Sequence, residues 1–184
     1  VDPFINNDNQ QEHFMATETF TDAIALLKAD HRKVEDLFEK FEKASADGRK
    51  QKLAEEICME LKIHTMLEEE IFYPALRGKI EDDMLDEAFV EHDGAKVLIN
   101  EIEAGGPNDD FYDAKVKVLS EEIEHHVKEE EQQSKGMFAH ARKTDVDLVD
   151  LRDQMLARKK ELLAQAKGEG LPPAQTRTLN VAPA

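Results

Sequence analysis

Two residue pairs, His64 with Glu68 and His126 with Glu130, have the types and the spacing that could bind a metal ion. Residues four apart lie on the same face of an α-helix, and in both pairs that face is otherwise apolar. The apolar residues are Ile57, Leu61 and Ile71 for the first pair, and Val116, Leu119 and Ile123 for the second. A carboxylate buried among such residues without a partner is very costly, whereas a cation would satisfy it. The pairs therefore predict a cation site inside a helical core.

Two more apolar stripes each carry one histidine, His31 and His92. A single histidine on an apolar face is more often a core residue with one hydrogen bond, or a residue at the edge of the face, than a metal ligand. Four histidines on four helices, two of them followed by a glutamate at i+4, favour the metal site, because helical bundles build such sites from side chains that converge in the core.

Hydrophobic periodicity and the breaks between periodic segments predict five helices. The predicted helices are 21–44 with Thr21 as N-cap, 49–76, 82–104, 110–141 and 147–167. Pro74 is expected to tighten or kink the last turn of the second helix. Because short connections between long helices make neighbours antiparallel, the sequence predicts an all-α fold, an up-down-up-down four-helix bundle with an additional C-terminal helix.

The two ends of the chain differ in composition from the bundle. Residues 1–14 are polar and aperiodic, and we interpret them as a disordered leader added for expression, which excludes His13 from the site. The bundle is then expected to span 15–143. Residues 168–184 have neither periodicity nor enough apolar surface to fold, and they are predicted to form a disordered, flexible tail.

The fifth helix lies within residues 144–167 and carries no histidine. Its apolar stripe consists of Leu148, Leu151, Met155 and Leu162. Isolated helices of this length are marginal in water. This stripe is therefore expected to dock on the bundle or on a second copy of the protein, so both a monomer and a homodimer remain open.

The composition excludes several classes of partner. A formal net charge of −17 opposes binding to nucleic acid or to an anionic membrane surface. The sequence has no apolar run long enough to span a membrane and no recognisable signal peptide, so a cytoplasmic location is expected. Cys58 is the single cysteine and cannot form an internal disulfide. It is interpreted as a packing residue.

The histidine motifs, taken in order, resemble the four helix signatures of the hemerythrin-like HHE cation-binding family. These motifs are Asp30-His31, His64-x-x-x-Glu68 followed by Phe72-Tyr73-Pro74, Glu91-His92, and His126-x-x-x-Glu130. The resemblance covers about residues 21–142. It implies a non-haem di-iron centre, two iron ions with an oxo or hydroxo bridge, although the same donors would also accept zinc or manganese. The implied metal ligands are His31, His64, Glu68, His92, His126 and Glu130, with both glutamates bridging the metals.

Neighbouring polar residues are assigned other roles. A ferritin-like site fits less well, because such sites use Glu-x-x-His. His125 lies about 100° away from the core face, and His140 lies too far along the helix axis to join the ligands. Four flanking glutamates are interpreted as a solvated face, one of which could accept the second ring N–H of a ligand histidine. They are Glu69, Glu70, Glu129 and Glu131.

Lys96 stands where oxygen-carrying hemerythrins have a second histidine on the third helix. Two six-coordinate irons need about twelve ligand positions, and the implied side chains with one bridge leave roughly two of them open. We therefore expect oxygen to oxidise the centre rather than to be stored reversibly, and we expect peroxide or nitric oxide to bind. The Lys96 ammonium is expected to turn away from the metals or to contact an anion.

Three functions are compatible with these features. The resemblance implies a protein that binds or senses oxygen, peroxide or nitric oxide in a stress response. The alternative is a di-iron oxidoreductase with peroxidase-, catalase- or ferroxidase-like activity. A third interpretation is an interaction module whose polar core only fixes the helix register. Bound metal would separate the third function from the others, and peroxide turnover would separate the first two.

Overall fold

The structure is a computed structural model that describes residues 19–180, and all of its regular secondary structure within that range is helical. The helices are α1 (Ala23–Lys43), α2 (Asp47–Leu67), α3 (Tyr73–Leu76), α4 (Asp82–Glu103), α5 (Tyr112–Glu131), α6 (Met137–Ala141) and α7 (Leu148–Gly168). The all-α class is confirmed. The leader predicted at 1–14 lies outside the described residues.

Four long helices, α1, α2, α4 and α5, form the bundle. Helix α1 packs against α2 and α5, and α4 packs against the same two helices, so the four close into a ring. The core of this ring consists of two apolar clusters with a polar layer between them. On α1, for example, the first cluster ends at Leu27, the second begins at Val34, and His31 lies between the two.

The start of α1 is set by a side-chain cap. Asp22 Oδ1 accepts a hydrogen bond from the Ala25 backbone N–H at 2.9 Å, which satisfies one of the N–H groups that the first helical turn leaves free. The N-cap is thus Asp22, and the prediction of Thr21 is wrong by one residue.

The chain from α2 to α3 is continuous but passes through a π-helical turn at Glu68–Phe72. The Tyr73 N–H donates to the Glu68 carbonyl oxygen, five residues earlier. Pro74 has no N–H, and in a regular α-helix its ring would clash with the Glu70 carbonyl; a wider turn relieves that clash. Of the two effects expected of Pro74, tightening of the turn is wrong, because the turn before Pro74 is widened; the wider turn brings Tyr73 onto the same face as Glu68.

Helix α5 ends at Glu131, ten residues before the predicted end of the fourth helix. Ser134 has φ 64°, and the Gly136 N–H donates to the Gln132 carbonyl at 2.8 Å, so the chain makes a tight turn before α6. A Cβ on Gly136 would lie 2.5 Å from the Glu130 carbonyl oxygen, and only glycine fits there. The prediction of one helix to Ala141 missed this break.

Helix α7 packs against α1, α2 and the π-helical turn. Met155 and Leu162 are completely buried and Leu151 is 7% exposed, and all three belong to the first apolar cluster. Leu148 is partly buried against the same cluster. The stripe predicted on this helix is therefore covered by the bundle of the same chain.

Residues 171–180, here called the strap, lie against the bundle. The Asn100 side chain donates to the Ala174 carbonyl at 2.9 Å and accepts from the Ala174 N–H at 2.8 Å. Lys62 Nζ donates to the Leu171 carbonyl at 3.3 Å. The prediction of a flexible tail is wrong for these residues, because polar contacts that composition does not reveal hold them; residues 181–184 are outside the described range.

Among residues 19–180, no helix combines the length and the apolar character that crossing a membrane requires.

Candidate metal centre

The polar layer of the bundle contains all six side chains that the sequence singles out. One histidine comes from each of α1, α2, α4 and α5. Glu68 directly follows α2, and Glu130 lies in the last turn of α5. Every one of the six is at most 5% exposed. They are His31, His64, Glu68, His92, His126 and Glu130. The convergence of these residues is a finding of the structure, and four helices are needed to produce it.

One group of donor atoms forms around His31 and His64, whose Nε2 atoms are 3.1 Å apart. Glu68 Oε2 lies 3.3 Å from His64 Nε2, and Glu130 Oε2 lies 3.3 Å from His31 Nε2. Two ligand atoms that are each about 2.1 Å from one ion are about 3.0–3.4 Å apart at octahedral or tetrahedral angles. These separations are therefore those expected around a single metal ion.

A second group adjoins the first and shares a carboxylate with it. His92 Nε2 lies 3.2 Å from His126 Nε2 and 3.2 Å from Glu68 Oε2. Glu130 Oε2 is more distant from this group, at 3.7 Å from His126 Nε2. Glu68 thus belongs to both groups, as a carboxylate that bridges two metals would.

The outer ring nitrogens of three histidines face carboxylates. The Nδ1 partners are Glu131 for His31 at 2.8 Å, Glu69 for His92 at 3.0 Å, and Glu91 for His126 at 2.8 Å. A carboxylate only accepts, so each of these Nδ1 atoms carries a proton, and in its neutral form each ring presents the Nε2 lone pair to the interior. Lone pairs that face each other cannot form a hydrogen bond, but a cation between them binds both. This pairing of ligand histidines with carboxylates is typical of metal sites.

The structure revises the role predicted for the flanking glutamates. Glu69 is buried and Glu131 is partly buried, and each accepts a histidine N–H, which is the role that the sequence analysis allowed for one of the four. The solvated-face interpretation is wrong for Glu69. Glu70 and Glu129 are exposed, as that interpretation requires. Sequence reasoning assigned no role to Glu91. Glu91 directly precedes His92 in the third motif, and this position was the sequence signal that could have placed it beside the neighbouring helix.

Electrostatics in the polar layer favour a positive charge. Burial and the neighbouring Glu130 carboxylate raise the pKa of Glu68 to about 7. Burial alone would lower the pKa of His31, yet the adjacent carboxylates of Glu130 and Glu131 raise it to about 10, so without a metal ion the ring takes up a second proton. Two buried carboxylates therefore need either protons or metal cations for neutralisation, and the two compete for the same atoms.

Several buried polar atoms in this layer lack a hydrogen-bond partner among the described residues. They are His64 Nδ1, Glu68 Oε1 and Glu130 Oε2. Buried polar atoms in native proteins are almost always satisfied, and carboxylate oxygens of this kind are suited to metal coordination. A cavity of about 10 Å³, roughly one water molecule, lies among the four histidines and apolar residues such as Val34 and Ile123. The donors present fit a pair of metal ions.

The hemerythrin HHE cation-binding domain family matches residues 22–138, which is more than half of the chain and includes all six converging residues. The chain belongs to this family. The resemblance found from the sequence motifs is thereby confirmed.

Two known proteins are similar to this hemerythrin HHE protein. A hemerythrin HHE cation-binding domain-containing protein from Mycobacterium kansasii has a crystal structure that superposes with a TM-score of 0.66 at 22% identity, covering 82% of this chain and 95% of that one. This likeness supports the helical bundle. A DNA nickase from Nostoc sp. (strain PCC 7120 / SAG 25.82 / UTEX 2576) is 27% identical over 106 residues, which is 58% of this chain and 30% of the nickase.

Tyr73 is a member of the cluster that sequence reasoning missed. Its hydroxyl lies 3.0 Å from Glu130 Oε1, 3.3 Å from Glu68 Oε2 and 3.3 Å from His92 Nε2. In a regular α-helix five residues turn by about 140°, so Tyr73 would point away from Glu68. The π-helical turn removes that offset. The Tyr73-Pro74 dipeptide after the second motif was the sequence signal that could have indicated this turn.

Lys96 is buried and faces carboxylates rather than the converging Nε2 atoms. Its Nζ lies 2.6 Å from Glu69 Oε1 and 3.1 Å from Asp93 Oδ1. The predicted contact with an anion is thus confirmed, but the side chain does not reach solvent, since Lys96 is only 4% exposed. Lys96 stabilises the carboxylate that accepts the His92 N–H.

The strap extends this hydrogen-bond network beyond the family match. Asp93 Oδ2 accepts from the backbone N–H groups of Arg177 and Leu179 at 2.8 and 3.0 Å, and from Thr178 Oγ1 at 2.8 Å. Arg177 Nε lies 3.2 Å from Glu69 Oε2. The C-terminal segment of this hemerythrin HHE protein therefore contacts the residues that orient His92.

Proposed function

We propose that this hemerythrin HHE protein holds two adjacent iron ions and uses them to bind small oxidants: oxygen, peroxide or nitric oxide. His31 and His64 would hold one ion and His92 and His126 the other, with Glu68 and Glu130 between them. The observation that carries the proposal is the convergence of four inward-facing Nε2 atoms and two carboxylates in a buried layer. A pair of irons supplies the electrons that such ligands accept, and imidazole with carboxylate donors suits iron.

The size of the cavity limits what the centre could bind. About 10 Å³ beside the four histidines accommodates a molecule of roughly the size of water. Oxygen, peroxide and nitric oxide are of that order, whereas an organic substrate is far larger. The apolar walls formed by residues such as Val34, Leu61 and Ile123 would keep bulk water away from the ligand.

Tyr73 favours reduction of the ligand over reversible storage. The Tyr73 hydroxyl lies 3.0 Å from Glu130 Oε1, and because a carboxylate only accepts, the hydroxyl carries the proton in this contact. A buried phenol at this position could donate a hydrogen bond, or a proton, to an anionic ligand. Negative charge that develops on a reduced ligand would thereby be stabilised.

The same hydroxyl supports an alternative in which the protein is an enzyme. A peroxidase-, catalase- or ferroxidase-like oxidoreductase needs a proton donor beside the metals, and Tyr73 has the position for that role. A net charge of −17 opposes contact with the backbone of a nucleic acid, so we propose no activity on DNA.

Metal analysis of protein produced in iron-rich medium tests the proposal. We expect about two irons per chain, by the donor count, together with near-ultraviolet absorption from the oxidised centre. Well under one metal ion per chain after iron loading would contradict the proposal and favour a polar layer that only fixes helix register. Loss of peroxide measured with the iron-loaded protein then separates turnover from simple binding.

A further inference from the structure

Beside the buried centre, three exposed or partly exposed side chains form a separate cluster: Glu91, His125 and Glu129. His125 Nε2 lies 3.2 Å from Glu129 Oε1 and 3.5 Å from Glu91 Oε1. All three donor atoms lie within 4.8 Å of one another. The spacing again approaches the separation of about 3.0–3.4 Å expected between atoms that bind one ion.

This outer cluster repeats part of the inner one, displaced by a single residue on each helix. His125 and Glu129 precede His126 and Glu130 by one position on α5, and they have the same i+4 spacing. Likewise, Glu91 precedes His92 on α4. A shift of one residue rotates a side chain by about 100° around a helix, so the same two helices present one set of donors to the core and a second set to the surface.

A pocket of about 200 Å³ is bordered by residues from both sets of donors. Glu91 and Glu129 of the outer cluster lie in its wall, and so do His126 and Glu130 of the buried centre. Glu130 is 1% exposed, and its Oε2 accepts no hydrogen bond from the described residues, although His31 Nε2 is 3.3 Å away. The wall of the pocket therefore includes two carboxylate residues of the outer cluster and one carboxylate residue of the buried centre.

We propose that Glu91, His125 and Glu129 bind a divalent transition-metal cation, and that this site supplies the buried centre through the pocket. The inference rests on the proposed di-metal centre. One imidazole nitrogen and two carboxylates suit Fe²⁺, Mn²⁺ or Zn²⁺, with water in the remaining positions. Glu87 adds a further negative charge to the pocket wall and Lys135 a single positive one, so the pocket attracts cations.

The shared residue Glu91 links the two sites. Its Oε2 accepts from His126 Nδ1 at 2.8 Å, while its Oε1 faces His125. An ion bound at the outer site would therefore be separated from His126, a proposed ligand of the buried centre, only by the carboxylate group of Glu91. Because His125 is 63% exposed, the outer ion exchanges readily with solvent, as delivery requires.

The test uses zinc with full-length protein and two variants, His125→Ala and Glu129→Gln. Glu124→Gln is the matched control, because Glu124 is an exposed acid on the same helix outside the cluster. Equilibrium dialysis with elemental analysis counts the ions per chain. Exposure of the zinc-loaded protein to isotopically labelled zinc then gives the rate at which ions in the buried centre are replaced.

We expect the wild type and Glu124→Gln to bind one weakly held ion beyond those in the buried centre, and both cluster variants to lose only that ion. Exchange into the buried centre should slow roughly tenfold in both cluster variants, the low end of what electrostatic focusing contributes. A full buried centre without the additional ion, or exchange in the variants at the wild-type rate, would overturn the inference. An empty buried centre would instead overturn the proposed function.

Discussion

Lys159 of α7 forms a buried ion pair with Asp30, the residue that precedes the proposed ligand His31. Both residues are 6% exposed. Burial alone would raise the pKa of Asp30, but the Lys159 ammonium holds it at about 2. Asp30 Oδ2 also lies 3.8 Å from His64 Nδ1. A helix outside the family match is thereby joined to the polar layer of the bundle.

Substitution of Lys159 should destabilise the fold strongly. Lys159→Met leaves Asp30 as an uncompensated buried charge, and removal of one partner of such a pair typically costs about 3–5 kcal/mol. Urea unfolding followed by circular dichroism measures this loss. Lys160→Met is the control, because Lys160 is exposed on the same helix. Equal losses in the two variants would mean that the ion pair is not what holds α7.

Metal removal should lower the melting temperature. At free metal about 1,000 times Kd, binding stabilises a folded protein by about 4 kcal/mol, which corresponds to about 8–16 °C for a domain of this size. Without metal the buried carboxylates Glu68 and Glu130 must take up protons or water. Calorimetry before and after chelation measures the difference. An unchanged melting curve after complete removal would contradict a buried metal site.

Truncation of a proposed ligand should cost metal. His64→Ala removes one of the two imidazole nitrogens in the first group of donors. We therefore expect about half of the bound iron, or less, to remain. His140→Ala is the control, since His140 belongs to none of the donor clusters, whereas His125→Ala is expected to lose only the weakly held outer ion and to keep the buried metal. Elemental analysis gives the ratio. Loss of buried metal from His125→Ala equal to that from His64→Ala would mean that the register of α5 is wrong.

Removal of the Tyr73 hydroxyl should slow reduction of peroxide while leaving the metal in place. General acid catalysis contributes about 10²–10⁴-fold, so we expect Tyr73→Phe to react with peroxide roughly 100-fold more slowly in stopped-flow measurements. Tyr112→Phe is the matched control. Tyr112 is the second buried tyrosine, and it packs beside Phe41 at the far end of the core. Unchanged kinetics in Tyr73→Phe would exclude the hydroxyl as a proton donor.

The attachment of the strap to the bundle should depend on Asp93. Asp93→Ala removes the acceptor of the Arg177, Thr178 and Leu179 donors, which would leave their hydrogen bonds to solvent. We expect amide hydrogen exchange at 177–179 to become at least about tenfold faster, corresponding to roughly 1.4 kcal/mol of lost protection. Asp83→Ala is the control, an exposed aspartate on the same helix. Slow exchange that persists in Asp93→Ala would show that other contacts hold the strap.

The sequence by itself determined the four bundle helices and the six residues that converge between them. Each of these features depends on residues close together in one helix: an apolar face at the helical period, and a histidine or glutamate on that face, as with His64 and Glu68. The cost of a buried carboxylate is the same in any such core. A metal site could therefore be inferred before the packing of the helices was known.

Only the tertiary structure decided which residues surround those six. The π-helical turn that brings Tyr73 to Glu68 is a change of register within a helix, and hydrophobic periodicity does not detect it. The break before Gly136 depends on how closely that residue approaches the Glu130 carbonyl. The strap binds mainly through several hydrogen bonds to the side chains of Asp93 and Asn100, which are more than seventy residues away in sequence. Composition predicts a flexible tail there, because it records how much apolar surface a segment can bury and not where a distant carboxylate lies.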